Sequence, residues 1–234
     1  MKFPTPLVKG RLLRRYQRFL ADVELEDSGK TVLAHVPNSG RMTTCIEPGW
    51  PVLLSPSNNP RRRCPYTLEL SWNGVCWIGV NTQRSNMLFR EAVENRRVAE
   101  FDWVEKIEPE IRYGNSRLDF RLSAPQRSLW VEIKSVTLVD EKGTSMFPDA
   151  VTSRGTKHLQ ELIRCRDNGL EAAIVFIVQR RDASNFRSAR EIDPAYSHWL
   201  LEAHAAGVEI MCFATRITPQ EIEMTGQRIP WLGE

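Results

Sequence analysis

The sequence lacks the signatures of several protein classes. No stretch approaches the ~18 consecutive apolar residues that a membrane-spanning helix needs, and Lys and Arg interrupt every apolar run near its start, which argues against a signal-peptide core. No C-x-x-C pair occurs, and the cysteines are widely spaced and odd in number, so a zinc site of the finger or ribbon kind lacks its pattern. We therefore expect a soluble, cytoplasmic protein with no membrane partner and with reduced, mostly buried thiols. These thiols belong to Cys45, Cys64, Cys76, Cys165 and Cys212.

The composition also excludes global disorder. The chain has 234 residues, of which 41% are hydrophobic, and seven Trp, enough apolar material for one large domain or two compact ones. Residues 1–83 hold 11 Lys and Arg against 6 Asp and Glu, whereas residues 84–234 hold 21 against 23. A basic first third suggests a part that meets a polyanion. The alternative interpretation is an ordinary solvated basic surface.

Residues 1–83 show the pattern of a small β-barrel. Short alternating runs such as K-T-V-L-A-H-V, P-V-L-L-S-P and Y-T-L-E-L are separated by the turn sequences D-S-G, N-S-G, E-P-G and W-N-G. Five or six short strands in about 80 residues favour an OB-like β-barrel. We place the domain boundary near residue 83.

Residues 84–234 alternate between helical and strand patterns. The predicted helices run from Arg84 to about Glu100, from Thr152 or Ser153 to about Asp167, and from Asp193 to Gly207. Three strand-like runs follow the first helix, and one apolar run follows each of the other two. The order α-β-β-β-α-β-α-β predicts a mixed-sheet α/β domain, with helices packed on a partly parallel sheet.

Asp119 and the sequence Glu132-Ile133-Lys134 form the sharpest chemical pattern. On a strand, Glu132 and Lys134 point to the same face, and burying both is costly unless they are paired or ligated. A hairpin would bring Asp119 next to Glu132, and paired carboxylates are the hard oxygen ligands of Mg²⁺ or Mn²⁺. Such a metal could activate water against a phosphodiester while Lys134 stabilises the developing charge. Glu91, on the preceding helix, is a further candidate metal ligand.

This pattern, Asp-x12-Glu-x-Lys within a βββ array that follows a helix, resembles the PD-(D/E)xK nuclease core. The resemblance implies that Asp119, Glu132 and Lys134 are catalytic. The alternative interpretation is an exposed pair of strands with a cross-strand salt bridge.

A second cluster lies in the sequence F-P-D-A-V-T-S-R-G-T-K-H-L, which contains Asp149, Arg154, Lys157 and His158. Basic side chains in the first turns of a helix oppose its dipole, whereas a helix N-terminus favours a bound phosphate. We therefore interpret Arg154, Lys157 and His158 as candidate nucleic-acid-binding residues. His158 taken alone is more typical of a structural or surface histidine.

The barrel contributes a third cluster, in which arginines alternate with aromatic rings. Cations that follow a backbone, mixed with rings on which bases stack, are typical of grooves that bind nucleic acid without sequence preference. The alternative is a solvated strand face with core aromatics. The candidate nucleic-acid-binding residues of the barrel are Arg14, Arg15, Tyr16, Arg18, Phe19, Arg61 and Arg62.

Ordered matches along nearly the whole chain resemble the sugar fermentation stimulation protein A (SfsA) family. They include R-Y-Q-R-F-L-A-D-V, H-V-P-N-S-G-R-M, L-S-P-S-N-N-P, V-E-I-K-S-V-T-L-V, F-P-D-A-V-T-S-R-G-T-K-H-L, V-Q-R and D-P-A-Y. The resemblance implies a bacterial protein with an N-terminal OB-like domain and a C-terminal nuclease-like domain. It also implies DNA binding without sequence preference and a regulatory link to maltose use.

The chain departs from the family pattern at two places. Val36 stands where the family usually has Cys, which excludes a catalytic thiol there. Residues 113–117 are shorter than the family's Y-G-x-x-x-S-R, which predicts a shift of the strand that carries Asp119.

The leading hypothesis is a DNA-binding protein without sequence specificity that carries a metal-capable, nuclease-like site. An active Mg²⁺- or Mn²⁺-dependent nuclease is the alternative. A sequence-specific transcription regulator ranks third, because residues 198–218, which loosely resemble a helix-turn-helix, continue as a β-branched strand and not as a recognition helix. The sequence leaves the oligomeric state open.

Overall fold

The N-terminal part of the chain folds as a closed barrel. The computed structural model describes residues 1–3, 6–114 and 116–233. The barrel strands are β1 (Val8–Tyr16), β2 (Leu20–Leu25), β3 (Thr31–His35), β4 (Pro51–Pro56), β5 (Tyr66–Trp72) and β6 (Trp77–Gly79). Their order is β3-β2-β1-β4-β5-β6, and a parallel pairing of β3 with β5 closes the sheet. The predicted OB-like barrel is confirmed.

Alternation along the strands supplies the barrel core. Leu12, Val23, Leu54 and Leu68 are buried together inside the barrel, while their sequence neighbours point outward. Gly10 lets β1 cross β2 closely, since a Cβ there would lie 2.5 Å from Val23 Cγ1. The arginines of β1 therefore lie on the outer face of the barrel.

The C-terminal part is a mixed α/β domain, as predicted. It comprises α1 (Arg84–Glu94), β7 (Lys106–Tyr113), β8 (Ser116–Ala124), β9 (Arg127–Val136), β10 (Leu138–Val139), β11 (Thr144–Phe147), α2 (Ser153–Asp167), β12 (Glu171–Val178), β13 (Asn185–Ser188), α3 (Pro194–Ala205), β14 (Glu209–Ile217) and β15 (Ile222–Arg228). The main sheet has the order β15-β14-β12-β9-β8-β7, and β9, β12 and β14 run parallel. A small sheet, β10-β11-β13, lies beside it.

Helix capping explains where α2 and α3 begin. The Thr152 hydroxyl accepts the Gly155 N–H at 3.0 Å, and the Asp193 carboxylate accepts the Tyr196 N–H at 3.0 Å, so each caps its helix as predicted. The prediction for α1 was wrong at its end, because the helix stops at Glu94 and Arg96 takes a left-handed φ of 52°. Residues 99–101 form a separate 3-10 turn.

Several short strands were not predicted. These are β11, β13 and the edge strand β15, whose sequence is I-E-M-T-G-Q-R. The residues of β10 lie at the end of the third predicted strand run. Residues 198–218 contain the end of α3 and the buried strand β14, so the segment that follows α3 is not a recognition helix.

Buried contacts fix the barrel on the C-terminal domain. The Arg180 guanidinium donates to the carbonyls of Thr44, at 2.9 Å, and Thr137, at 2.8 Å. Asp182 pairs with Arg180 at 2.6 Å and accepts from the barrel's Asn73 at 2.8 Å. These bonds hold the two domains in one orientation and form the cleft between them.

All five cysteines are free and buried, as expected. Within the described ranges, no helix is both long and apolar enough to cross a membrane.

Candidate active site

A cavity of about 390 Å³ lies between the barrel and the C-terminal domain. It brings together Asp119, Glu132 and Lys134, the three residues that the sequence predicts to be catalytic. The barrel, the start of α1 and the start of α2 supply its other walls. Among the lining residues are Arg18, Asn38, Ser39, Gly40, Thr82, Ser85, Asn86, Asp149, Arg154 and His158.

Asp119 reaches the cavity from β8. The last ladder pair between β8 and β9 toward the cavity is Phe120 with Val131, and beyond it the Asp119 carboxylate accepts the Ile133 N–H at 2.8 Å. Its other oxygen accepts from Asn86 of α1 at 2.8 Å. The sequence reasoning missed Asn86, since an amide at the start of a helix carries no metal-ligand pattern.

The short hairpin before Asp119 does not move this side chain away from the cavity. Within residues 113–117, Asn115 lies outside the described residues. On either side of it, Tyr113 pairs with Ser116 at the end of the β7–β8 ladder. The hydrogen bond from Ile133 shows that Asp119 still lies beside β9.

Glu132 is deeply buried, with 2% exposure. Its Oε1 accepts from Lys134 Nζ at 2.5 Å and contacts His158 Nδ1, which acts as the donor because an ionised carboxylate only accepts. Burial favours a higher pKa for Glu132, but the charge of Lys134 and the contact with His158 outweigh it and lower the pKa. Its Oε2 is buried and has no hydrogen-bond partner among the described residues.

The pKa of Asp119 is shifted in the opposite direction. Burial, and then the nearby charge of Glu132, raise its pKa above the ordinary value, although the Ile133 N–H, Lys134 and Asn86 offset part of the effect. Two carboxylates that share a cavity in this way favour the arrival of a cation, because added positive charge relieves both burial and repulsion.

The start of α2 supplies the opposite wall. Arg154 and His158 line the cavity and lie 3.5 Å apart, Nε to Nε2, on one face of the helix. His158 is 5% exposed, so its position against Glu132 makes it part of the site. Asp193, of the sequence D-P-A-Y, holds this helix start by accepting the Thr152 N–H at 2.8 Å.

Comparison with protein-family models identifies both parts of the chain. Residues 13–80 match the model described as the SfsA N-terminal OB domain, and residues 83–221 match the sugar fermentation stimulation protein RE domain. The chain belongs to the SfsA family.

Relatives of this family match over nearly their full length. The sugar fermentation stimulation protein homolog of Geobacter sulfurreducens is 52% identical over 99% of each chain, and that of Pseudoalteromonas atlantica is 43% identical over 99% of this chain and all of its own. The solved structure of Pyrococcus furiosus SfsA in complex with Ca²⁺ has a TM-score of 0.89 and 28% identity. It covers 99% of this chain and 97% of its own.

Glu91 does not join the site of this SfsA family member. Its carboxylate accepts from the α-amino group of Met1 at 2.8 Å and from Arg97 at 3.1 Å. Glu91 lies five residues after Asn86, which places it about 140° around the helix. The prediction of Glu91 as a metal ligand was therefore wrong, and Asn86 is the α1 residue at the cavity.

Arg15 has a different role from the one predicted. Its guanidinium donates to the carbonyls of Arg18, Asn38, Gly40 and Arg41 at 2.9 to 3.0 Å. Because these bonds use four of its five N–H donors, Arg15 holds the loop that borders the cavity. Its side chain also lines two further cavities, of about 360 and 340 Å³.

The other predicted binding residues separate into two groups. Arg18 lines the cavity, whereas Arg14 pairs with Asp22 at 2.7 Å, and Tyr16 donates to the same carboxylate at 3.1 Å. Phe19 is 42% exposed beside Arg18.

The remaining predicted residues lie away from the cavity. Arg61 is exposed, and Arg62 lines a different cavity, of about 490 Å³, on the barrel. Lys157 is exposed on α2 and does not line the 390 Å³ cavity. Val36, where the family usually has Cys, is fully buried in the barrel core.

Proposed function

We propose that this protein binds DNA without sequence preference and holds a divalent cation, together with a DNA phosphate, in the cavity between its domains. The observation that carries the proposal is Glu132 Oε2, a buried carboxylate oxygen without a hydrogen-bond partner among the described residues. A buried charge that lacks a partner is costly. A cation would satisfy it.

The donor set fits a hard cation. Asp119 and Glu132 offer carboxylate oxygens, the ligands that Mg²⁺, Mn²⁺ and Ca²⁺ prefer, and the Pyrococcus furiosus relative was solved in complex with Ca²⁺. No three His, Cys, Asp or Glu side chains within the described ranges converge on one metal position. Mg²⁺ commonly takes only one or two carboxylates, with water and substrate phosphate completing its shell, so the site suits a metal that arrives with DNA.

The opposite wall suits a phosphate. Arg154 and the first turn of α2 border the cavity, and the free N–H groups of a helix N-terminus favour an anion. Arg18 adds a cation from the barrel. A phosphate held between these groups and the two carboxylates would need a cation on its carboxylate side, which supports the joint binding of metal and DNA.

Hydrolysis of the bound phosphodiester is the second candidate function. Lys134 favours it, because its ammonium group lies at the cavity, 2.5 Å from Glu132, where it can stabilise developing negative charge. A divalent cation would supply charge neutralisation and a more acidic water. His158 orients the Glu132 carboxylate through the contact between Nδ1 and Oε1. The element order and the D…ExK residues support a nuclease of the PD-(D/E)xK type.

A role in maltose use would act through this DNA binding. The expected measurement is the transcription of maltose genes in cells with and without the protein. A sequence-specific regulator is disfavoured, because the segment that follows α3 is a strand. Protection of one promoter sequence in the presence of excess unrelated DNA would reverse that ranking.

The test combines metal binding, DNA binding and cleavage. Wild type, Glu132→Gln and the control Glu171→Gln are compared with Mg²⁺, Mn²⁺ and EDTA. The Glu171 carboxylate pairs with Arg127 where the strands β12 and β9 begin. We expect Mn²⁺ to raise the Tm of wild type and of the control but not of Glu132→Gln. In EDTA, all three proteins should bind DNA of unrelated sequences alike, with log affinity falling linearly with log salt.

The outcomes separate the two functions. Metal-dependent cutting that disappears in Glu132→Gln establishes the nuclease. Salt-sensitive binding without cutting leaves a DNA-binding protein with a metal site. A Tm of wild type that does not respond to divalent cations, either alone or with DNA present, refutes the metal site.

A further inference from the structure

Three neighbouring cavities form one groove that leads from Glu132 to the outer face of the barrel. The 390 Å³ cavity shares Arg18, Ser39, Gly40 and Val151 with a second cavity of about 360 Å³. The second shares Arg15, Arg18 and Arg41 with a third, of about 340 Å³. Because Arg18 lines all three, we call this path the Arg18 groove.

The outer Arg18 groove is positively charged. Arg18 and Arg41 are exposed on its walls, and neither forms an ion pair with a carboxylate within the described part of the chain. None of the described residues that line the second and third cavities is acidic. Unpaired cations along a groove match the spaced charges of a phosphate backbone.

Aromatic rings flank the central arginine on both sides in the sequence. Tyr16 lines the third cavity and lies under the Arg14 guanidinium, whose carbon is 4.9 Å from the ring centre. Phe19, next to Arg18 in the sequence, is 42% exposed and is not among the described residues that line the three cavities. Rings beside a cationic track offer stacking surfaces to unpaired bases.

The walls of the groove are tied together. Asp149 of the C-terminal domain accepts the Met42 N–H at 3.1 Å, and a Cβ on Gly40 would lie 2.1 Å from the Asp149 carboxylate. Arg15 holds the same loop through the carbonyls of Asn38, Gly40 and Arg41. These contacts hold the opening of the groove at a fixed width. Glu132 lies at the inner end of the groove, with 2% exposure.

We propose that the Arg18 groove takes an extended single strand of DNA and leads one of its phosphates to Asp119 and Glu132. The inference rests on the DNA binding proposed above and deepens it. A paired duplex carries its phosphates on a wide, stiff cylinder, whereas a single strand can enter a narrow groove and turn its bases toward the rings. The substrate of the cavity is thus single-stranded DNA or the melted end of a duplex.

The test measures fluorescence anisotropy with a labelled strand of about 16 nucleotides, the upper end of an OB site size, and with the same strand in a blunt duplex. EDTA is present to prevent cutting. The variants are Arg18→Ala with Arg41→Ala, and Tyr16→Leu with Phe19→Leu. The control is Arg117→Ala, an exposed arginine of the C-terminal domain that is paired with Glu110.

We expect wild type to bind the single strand at least about tenfold more tightly than the duplex. The double arginine variant should lose about tenfold in affinity and about 1.4 in the slope of log affinity against log salt, at about 0.7 per phosphate contact. The double aromatic variant should lose about tenfold in affinity for the single strand and keep its salt slope. Arg117→Ala should match wild type, and all Tm values should stay close to that of wild type.

Equal or tighter binding of the duplex overturns the single-strand inference and leaves the proposed function in place. Single-strand binding that is unchanged in the double arginine variant overturns the Arg18 groove as the path. Failure of wild type to bind either DNA, in EDTA and again with Ca²⁺ in its place, refutes the proposed function itself.

Discussion

The two domains use their arginine side chains differently. In the C-terminal domain most arginines form ion pairs with carboxylates, whereas Arg18 and Arg41 of the barrel stand exposed without one in the described part of the chain. The C-terminal pairs include Arg90–Glu94, Arg97–Glu91, Arg117–Glu110, Arg121–Glu108, Arg127–Glu171, Arg187–Glu191 and Arg216–Glu223.

This difference separates charge that is neutralised within the fold from charge that is available to a ligand. Exposed ion pairs contribute little to stability, so their main effect on the C-terminal surface is to cancel its field. In the barrel, Arg18 and Arg41 stay uncancelled along one groove, where they attract a polyanion. The charge asymmetry between residues 1–83 and 84–234 thus reflects how each domain pairs its arginines.

The prediction with the largest expected effect tests whether the C-terminal domain keeps one cation, Lys134, for catalysis. If the cavity is a nuclease site, Lys134→Gln should lower metal-dependent cleavage by about 10²- to 10³-fold, since it removes a charge that stabilises the transition state. DNA affinity should change little, because the barrel supplies the grip. Single-turnover cleavage and anisotropy measure the two effects. An equal loss of DNA affinity would show that catalysis and DNA binding are not divided between the two domains.

The second prediction contrasts two neighbouring arginines of the barrel. Arg15→Ala should lower the free energy of unfolding by about 2–4 kcal/mol, because hydrogen bonds from a charged group to four loop carbonyls are lost. Arg18→Ala, the control, should leave stability nearly unchanged and weaken DNA binding. Urea unfolding at pH 7 measures the difference. Equal stabilities would show that Arg15 does not hold the loop.

The third prediction concerns the contact that fixes one domain on the other. Burial favours a higher pKa for Asp182, but the hydrogen bonds and charge of Arg180, with Asn73, outweigh it and lower the pKa to about 2. The ionised carboxylate therefore contributes stability above the ordinary Asp pKa of about 4, and this is lost as the pH falls through about 2.

Asp182→Asn should accordingly cost about 2 kcal/mol of unfolding free energy at pH 7, the equivalent of that pKa shift. The difference from wild type should shrink below about pH 4. Urea unfolding at several pH values measures it, with Glu110→Gln, whose carboxylate is exposed, as the control. A difference that is independent of pH would mean that packing, and not charge, is lost.

The prediction with the smallest expected effect removes the carboxylate that pairs with a barrel arginine. Asp22→Asn frees Arg14, whose side chain is 70% exposed, and should raise DNA affinity about two- to threefold at low salt by adding one phosphate contact. The slope of log affinity against log salt should steepen by about 0.7. Lower affinity would indicate that Asp22 positions Tyr16 for binding.

Local chemistry in the sequence was sufficient for much of the fold. Thr152 and Asp193 marked the starts of α2 and α3, because capping depends on residues three apart in the chain. Period-2 alternation indicated the barrel strands. The short strands β11 and β13 and the polar edge strand β15 escaped, since their stability comes from neighbours distant in the sequence.

The candidate site was predictable only where its pattern is local. Glu132 and Lys134 share a face because they lie two apart on one strand, and Asp119 follows from pairing with the adjacent strand. Asn86 was missed and Glu91 wrongly chosen, because the face that α1 turns to the cavity depends on how the helix packs. Arg15 and Arg18 stand in the same arginine-rich segment, so the sequence does not show that one holds a loop and the other stays exposed.

The sequence by itself determined a basic barrel followed by an α/β domain, and a carboxylate–lysine strand, because these features depend on composition and short spacings. Only the tertiary structure decided which arginines are free and which are paired, since pairing joins residues far apart in the chain. It also decided that the barrel loop and the start of α2 close over Asp119 and Glu132. The cavity exists because Arg180 and Asp149 hold the two domains together.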